Sequence, residues 1–365
     1  MTPSTLTTGA WPAVTSVPSE MAAAVLTRFG GPEVLQMHSA PTPVPKPGEA
    51  LVRVASVSVG RLLDVVARSG KHPYASFTFP HILGAEHAGV VAALGPGVTE
   101  LQIGNKVAGF PVVVQGEDEF TRAGYSELSP RLQLLGTHRP GAYAQYVCIP
   151  AENLTVVPDT MNPAEVAALA LAGPVAMNQF TRAGGVGQGT RVIVQGATSA
   201  LGLTTALLAK HLGAQVIVTS RHESKQAQLR GFGFDHVLDA VEPSFVDEVG
   251  EVFEGKGAQL ISDNLGAPMV WEHGLQVLAP GGAIVSSGAF LGHNVPVNLQ
   301  RLYSKGQRIV GVKTGNLAAV GQLWQEVAKG FRTITDKTFT LEQAPAAHHY
   351  VEAGRNVGRV SLEVE

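Results

Sequence analysis

The sequence predicts an α/β protein with two domains, a small β-barrel and a doubly wound parallel sheet. Three observations carry this. At 365 residues the chain exceeds what one small core needs. Residues from Met21 to about 150 read as short strands and turns. From Pro158 strands alternate with helical stretches, the pattern of a parallel sheet.

The clearest stretch runs from Gly189 to Lys225. Arg191 to Val194, RVIV, suits a buried parallel strand. Gly196, Ala197, Thr198, Ser199, Ala200, Leu201 and Gly202 form a turn of mostly small residues, and a helical run continues to His211. Gly213 stops that helix, and Gln215 to Thr219 is the next strand. A strand that turns at once into a helix offers backbone N–H groups and a positive dipole end to a phosphate or pyrophosphate. The turn departs from GxGxxG, with Ala197, Ser199 and Gly202 at the pattern positions, so alone it also fits a βαβ unit that binds no nucleotide. The second strand shifts the balance. It ends without Asp or Glu and runs into Ser220 and Arg221, with Lys225 one helical turn on. Cations there suit a 2′-phosphate, so the expected cofactor is NADP(H) rather than NAD(H). The competing account of Arg221 and Lys225 is a solvated surface pair.

Composition narrows the classes. Hydrophobic residues at 45% and charged residues at 15% argue against disorder. A net charge of −3 gives no basic field, so no nucleic-acid partner is expected. Cys148 is the one cysteine, which excludes an intrachain disulfide and a Cys-rich zinc site. No apolar run reaches the roughly 18 residues of a membrane span. Residues 1–20 lack a basic n-region and an apolar h-region, so they read as a flexible extension and the expected location is cytoplasmic.

In chain order, strands are expected at Met21 to Gln36 around a Gly-Gly turn and at Ala50 to Ser58. A short helix is expected at Leu62 to Arg68, then strands within Ile82 to Leu94, at Val107 to Phe110 and at Gly141 to Ile149, with a surface lobe or lid between Val114 and Arg139. Asn162 to Ala183 reads as helical, with Pro163 placed for a first turn. After the βαβ core come a helix near Pro243 to Phe253, a strand at Ala258 to Ser262, a turn at Asp263-Asn264-Leu265-Gly266, a helix at Met269 to Val277 and a strand at Ala283 to Ser287. From Leu317 one helix and short strands lead to Arg359 to Val364.

Several runs in this order resemble the medium-chain dehydrogenase/reductase superfamily, most closely its zinc-independent quinone oxidoreductase and enoyl reductase branch. They are Arg28 to Leu35 (RFGGPEVL), Asp64 with Arg68-Ser69-Gly70, Ile82 to Gly89 (ILGAEHAG), the GATSALG turn, Leu278 to Gly282 (LAPGG) and Gly354 to Val360 (GRNVGRV). The resemblance implies a GroES-like β-barrel substrate domain built from residues 21–157 and 318–365, and a Rossmann cofactor domain over 158–317. It also implies a nicotinamide in the cleft between them, and a homodimer or tetramer, of which a homodimer is expected here.

Zinc alcohol dehydrogenases of this superfamily use a Cys near position 61 and the His of a Gly-His-Glu run. Here Arg61 (or Gly60) and Ala85 hold those places, and the four-cysteine lobe is missing, so no metal site is expected. Without a Lewis acid, the expected acceptor carries its own electron sink: a quinone, an enone or an enoyl thioester. His72 holds the place of the Tyr in the Gly-x-Tyr-Pro run of enoyl reductases, and Tyr74 follows it. His72, Tyr74 and Arg61 are therefore the candidate catalytic residues, against solvent as proton source and a solvent-facing Arg61. Arg122, Arg131 and Arg139 are candidates for a basic entrance, or are solvated. The resemblance places Asp263, Asn264 and Gly288 beside the cofactor and Arg359 in a tail position that reaches it. For Asp263 a helix cap is an equal alternative, and Glu86 reads as a structural partner of an Arg or a backbone amide. Val175 stands where relatives have Thr. The leading expectation is an NADPH-dependent reductase of a small-molecule quinone, enone or acyl thioester. The alternative is an NADPH-binding structural or regulatory protein without turnover.

Overall fold

The computed structural model describes residues 9–73 and 77–365. Tyr74 lies outside the described residues. The chain forms two compact units, Met1–Leu171 with Ile334–Glu365, and Ala172–Thr333.

The first unit is built on the strand Glu49–Val59, whose alternation of Val, Ala and Ser leaves almost no exposed residue. It pairs antiparallel with His87–Leu94, with Tyr146–Pro150 and with Arg359–Glu363. Through the last of these the C-terminus enters the same sheet as the N-terminal half. Thr335–Thr340, Lys106–Gly109 and Leu154–Val156 complete seven strands. A second sheet holds Leu35–Pro41, Glu20–Leu26 and His81–Ile82. The segment leading into Tyr146 joins the two sheets: Ala24 N–H donates to Tyr143 O at 2.8 Å and Gln145 N–H to Ala22 O at 3.0 Å. Leu26, Val52, Val57, Leu83, Tyr143, Ile149 and Leu362 fill the core between them.

The second unit is a six-stranded parallel sheet. Its order is His236–Leu238, Gln215–Thr219, Arg191–Gln195, Ala258–Asp263, Leu278–Ser286, Arg308–Gly311. This is the doubly wound order, in which the chain's direction of travel across the sheet reverses between Arg191–Gln195 and Ala258–Asp263. Ile193, Ile217, Ile261 and Ile284 pack there against Phe245 and Trp271, as β-branched strand residues do beneath covering helices.

Four elements refine or differ from the sequence reading. The helical stretch over Asn162 to Ala183 consists of two helices, Pro163–Leu169 and Ala172–Ala183, and the two units divide between them. Leu62 to Arg68 opens with wide turns: Arg61–Val66 winds so that Val65 N–H reaches Gly60 O, and Lys71 N–H reaches Val66 O. The tail holds a second helix, Ala344–Glu352, whose Pro at its first turn is compatible with a helical start. The segment read as a flexible extension makes specific contacts over its described part. Trp11 Nε1–H donates to Met161 O at 3.0 Å, and the Arg53 guanidinium donates to Ala13 O. A single indole donor meeting a carbonyl 150 residues away leaves no trace in composition.

The stretch from Val114 to Arg139 is ordered by polar side chains. Asp118 caps the short helix Glu119–Arg122, accepts from Ser129 Oγ at 2.6 Å and pairs with Arg131 at 3.4 Å. Arg139 pairs with the buried Glu49. Two of the three arginines considered for a basic entrance are thus engaged within the fold. Among the described residues no helix is long and apolar enough to cross a membrane.

Candidate functional site

In the second unit the turn after Arg191–Gln195 is the one read from the sequence. Gly196 adopts φ +69°, and a Cβ there would meet the Leu265 side chain at 2.8 Å. A Cβ on Gly202 would meet Gly196 O at 2.4 Å, so only glycine lets the helix approach the turn this closely. Ser199 is the N-cap of Ala200–His211: its Oγ accepts from Gly202 N–H at 3.0 Å. Ser199 thus caps the helix at a place where the commoner pattern has glycine. Thr219 ties the first two strand ends together, since its Oγ1 accepts from Gly196 N–H at 3.2 Å and its carbonyl from Ala197 N–H at 3.3 Å. Ala197 is buried, Thr198, Ala200 and Leu201 are half-buried, and Ser199 is exposed.

Ser220 is buried and closes the second strand. Arg221 is exposed and Lys225 half-buried, in the first turn of Glu223–Gly231. No carboxylate stands at Thr219 to His222. A glycine-cradled turn at a helix start, lying at the reversal point and followed by a cationic strand end, fits a nicotinamide dinucleotide.

The other side of the reversal point is the turn after Ala258–Asp263. Asp263 is fully buried, and its carboxylate accepts from Leu265 N–H at 3.2 Å and Gly266 N–H at 3.0 Å. Burial raises its pKa against the opposing pull of these amides. It caps this turn and not a helix, because the next helix, Pro268–Val277, has Ala267 at its N-cap. Asn264 Oδ1 accepts from Gln179 Nε2 at 3.0 Å and from Ser287 N–H at 3.1 Å. Gln179 Nε2 also donates to Ser287 Oγ at 2.8 Å, and its Oε1 accepts from Ser262 Oγ at 2.9 Å. Gly288 follows, its carbonyl accepting from Ser286 Oγ at 2.9 Å. Sequence reasoning missed Gln179, Ser262 and Ser287. A signal existed: Asn178-Gln179 is a polar pair between apolar Met177 and Phe180, and buried amides need partners.

The first unit holds a second polar cluster. Asp64 is buried, and its two oxygens accept from Gly60 N–H at 2.6 Å and Gly84 N–H at 3.0 Å. Burial, with help from Glu86, raises its pKa to about 7. Glu86 pairs with Arg359 at 2.7 Å, both nearly inaccessible, as expected of a structural partner for an arginine. Arg359 is thereby committed to Glu86 through Nη2. Arg61 is exposed and its Nη1 lies 3.4 Å from Val351 O, in the last turn of Ala344–Glu352, where a cation suits the helix dipole. His72 is buried, and burial, with His138 nearby, lowers its pKa. Tyr143 Oη and His348 Nε2 meet at 2.9 Å, both fully buried. Burial, with Arg68 nearby, pushes His348 down to about 3, and burial pushes His87 down to about 4. Among the described residues no group of three or more His, Cys, Asp or Glu side chains is placed to hold a metal ion.

Comparison with known proteins fits these two units. An alcohol dehydrogenase GroES-like domain family matches residues 46–159, and a zinc-binding dehydrogenase family matches residues 200–329. A 2-haloacrylate reductase of Burkholderia is 27% identical over 93% of this chain and 98% of its own length. A quinone oxidoreductase of Pseudomonas aeruginosa is 28% identical over 92% of this chain and 97% of its own. The crystal structure of an NAD-dependent alcohol dehydrogenase is 32% identical and covers 94% of this chain and all of its own, with a TM-score of 0.87. With family matches falling on both units and relatives spanning almost the whole chain, this protein belongs to the medium-chain dehydrogenase/reductase superfamily and is one of its oxidoreductases.

Proposed function

We propose that the chain is a metal-independent, NADPH-dependent reductase of quinones or of alkenes conjugated to a ketone, aldehyde or thioester. The observation that carries the reading is a glycine-cradled turn at the reversal point whose neighbouring strand ends in Ser220 and Arg221 rather than in an acid. Backbone N–H groups of Thr198, Ala200 and Leu201 hold the pyrophosphate, those of Gly196, Ala197, Ser199 and Gly202 being used within the turn itself, and Ser220, Arg221 and Lys225 hold the 2′-phosphate. The bound nicotinamide supplies a hydride. Asn264 and Gly288 shape the edge on which its ring half lies.

Metal independence rests on residue identity: Arg61 and Ala85 stand where the zinc enzymes have Cys and His. An acceptor reduced without a Lewis acid stores the new charge itself, as an enolate or a hydroquinone anion does. Burial lowers the pKa of His72, which disfavours its charged form and favours solvent over His72 as the proton source. Arg61 and Arg359 serve the fold through Val351 and Glu86. A homodimer is favoured by the open sheet edge Arg308–Gly311, where Ile309 is exposed, and by the exposed Leu299 and Tyr303 on the preceding helix. Light scattering tests it.

The decisive assay follows NADPH and NADH consumption with 1,4-benzoquinone, an enone and crotonyl-CoA, a chelator being present throughout. NADPH oxidation that survives the chelator is expected. A clear NADH preference would remove the roles given to Arg221 and Lys225, and loss of activity in chelator would end metal independence. Tight NADPH binding without turnover of any acceptor would turn the reading to a cofactor-binding protein.

A further inference from the structure

The amide network at the reversal point has a fixed sense. Ser287 N–H is a donor by covalent structure, so the Asn264 atom facing it at 3.1 Å must be Oδ1. That oxygen also faces Gln179 at 3.0 Å, so Gln179 must present Nε2 to it. Gln179 Oε1 then faces Ser262, whose hydroxyl donates to it at 2.9 Å. Reversing either amide would set acceptor against acceptor or donor against donor in a buried place, since Gln179 and Ser262 are fully buried and Asn264 is 7% exposed.

The second Nε2 hydrogen of Gln179 donates to Ser287 Oγ at 2.8 Å. Ser287 Oγ is therefore already an acceptor on its inner side, and its own proton must point elsewhere. Among the described residues no hydrogen-bond acceptor takes that proton, and Ser287 is half-buried rather than sealed. It stands just beyond the strand Leu278–Ser286, on the side of the reversal point opposite Gly196 and Arg221. If the turn holds the pyrophosphate and Arg221 the adenosine ribose, this side receives the nicotinamide half.

We propose that the Ser287 hydroxyl donates to a carbonyl-type oxygen on the nicotinamide half of the bound cofactor, and that Gln179 is the positioning residue that makes Ser287 a donor. The proposal rests on the cofactor reading above. Its test compares two ligands by fluorescence or calorimetry: NADPH, and 2′-phospho-ADP-ribose, which lacks the nicotinamide.

Ser287→Ala is expected to weaken NADPH about tenfold, the size of one hydrogen bond, and to leave 2′-phospho-ADP-ribose unchanged. Ser287→Thr keeps the hydroxyl and is expected to retain NADPH affinity. Gln179→Met should give the same selective loss, and Ser287→Ala added to it should cost nothing more, because the two act through one hydrogen bond. Unchanged NADPH binding in Ser287→Ala overturns the proposal, as does an equal loss for both ligands, which would mark a structural role. Should Gln179→Met not fold, the Ser287 pair still decides the donor. A wild-type protein that binds neither ligand would overturn the cofactor reading and the proposal with it, a result distinct from wild-type binding that Ser287→Ala leaves untouched.

Discussion

The two units differ in the charged groups they bury. The first buries ionisable ones: Asp64, Arg68, Glu86, His87, Tyr143, His348 and Arg359 are all inaccessible or nearly so. The second buries neutral amides and hydroxyls, with Asp263 held by two backbone amides. Gln179, Ser262 and Asn264 satisfy one another there, and Gln195 Nε2 donates to Val270 O at 3.0 Å. A buried ion pair is costly to break, because the survivor is a charge without a partner, whereas a broken neutral network leaves only unpaired dipoles. The first unit should therefore be more brittle to single substitutions and more sensitive to pH than the second, where the buried Asp263 is the acid whose pKa burial raises.

The largest break in this contrast is expected at Arg359. Removing it takes the cation of a buried ion pair away from Glu86, whose side chain is 5% exposed, so Arg359→Ala should destabilise the protein by about 3–5 kcal/mol in urea unfolding. Gln179→Met, which removes an equally buried side chain from the second unit, should cost about 1–3 kcal/mol. Equal losses would dissolve the distinction between the units.

The pH dependence follows from the same residues. The pKa of Asp64 is about 7 in the folded chain and near 3.8 when unfolded, so the folded state holds a proton the unfolded state has lost between those values. Its contribution to stability is complete below about pH 4 and is lost as pH rises through 7. Asp64→Asn removes that slope, a swing of up to about 4 kcal/mol between pH 4 and 8. His87 and His348 act in the other direction. With folded values of about 4 and about 3 against an ordinary 6.5, they stabilise above pH 6.5 and lose that contribution as pH falls. His87→Gln should therefore flatten the acid limb of the stability profile, while Asp64→Asn flattens the neutral one. A profile of Asp64→Asn that parallels the wild type from pH 4 to 8 would show that Asp64 does not titrate in this range.

The contrast also explains what the sequence could disclose. The parallel sheet was legible because each strand is a local run such as RVIV or QVIVT and each turn a local set of small residues. The cradle at Gly196 to Gly202 was legible for the same reason. Arg61 shows the opposite case: nothing local to it discloses that its Nη1 lies near Val351 O, 290 residues away. Glu86 and Arg359 are 273 residues apart, and Gln179 and Ser287 are 108 apart. Pairings of that span depend on how strands are ordered in the sheet, which local periodicity does not encode. Of these, only the Glu86 pairing was approached, as an acid in need of an unspecified arginine or amide.

The smallest predicted effect is the sharpest probe of the second unit's neutrality. Ser199→Ala removes the hydroxyl that accepts from Gly202 N–H at 3.0 Å and leaves that donor at a helix start with water as its only substitute. The loss should be about 1 kcal/mol, as for other N-caps. Neither partner titrates, so the loss should be the same at pH 5 and pH 8, while that of Asp64→Asn changes across the same interval. Ser199 also lies in the turn assigned to the pyrophosphate, so NADPH affinity should fall in the same variant. A stability loss that varied with pH would mean that a charge from elsewhere reaches this turn, and the division between a charged unit and a neutral one would have to be redrawn.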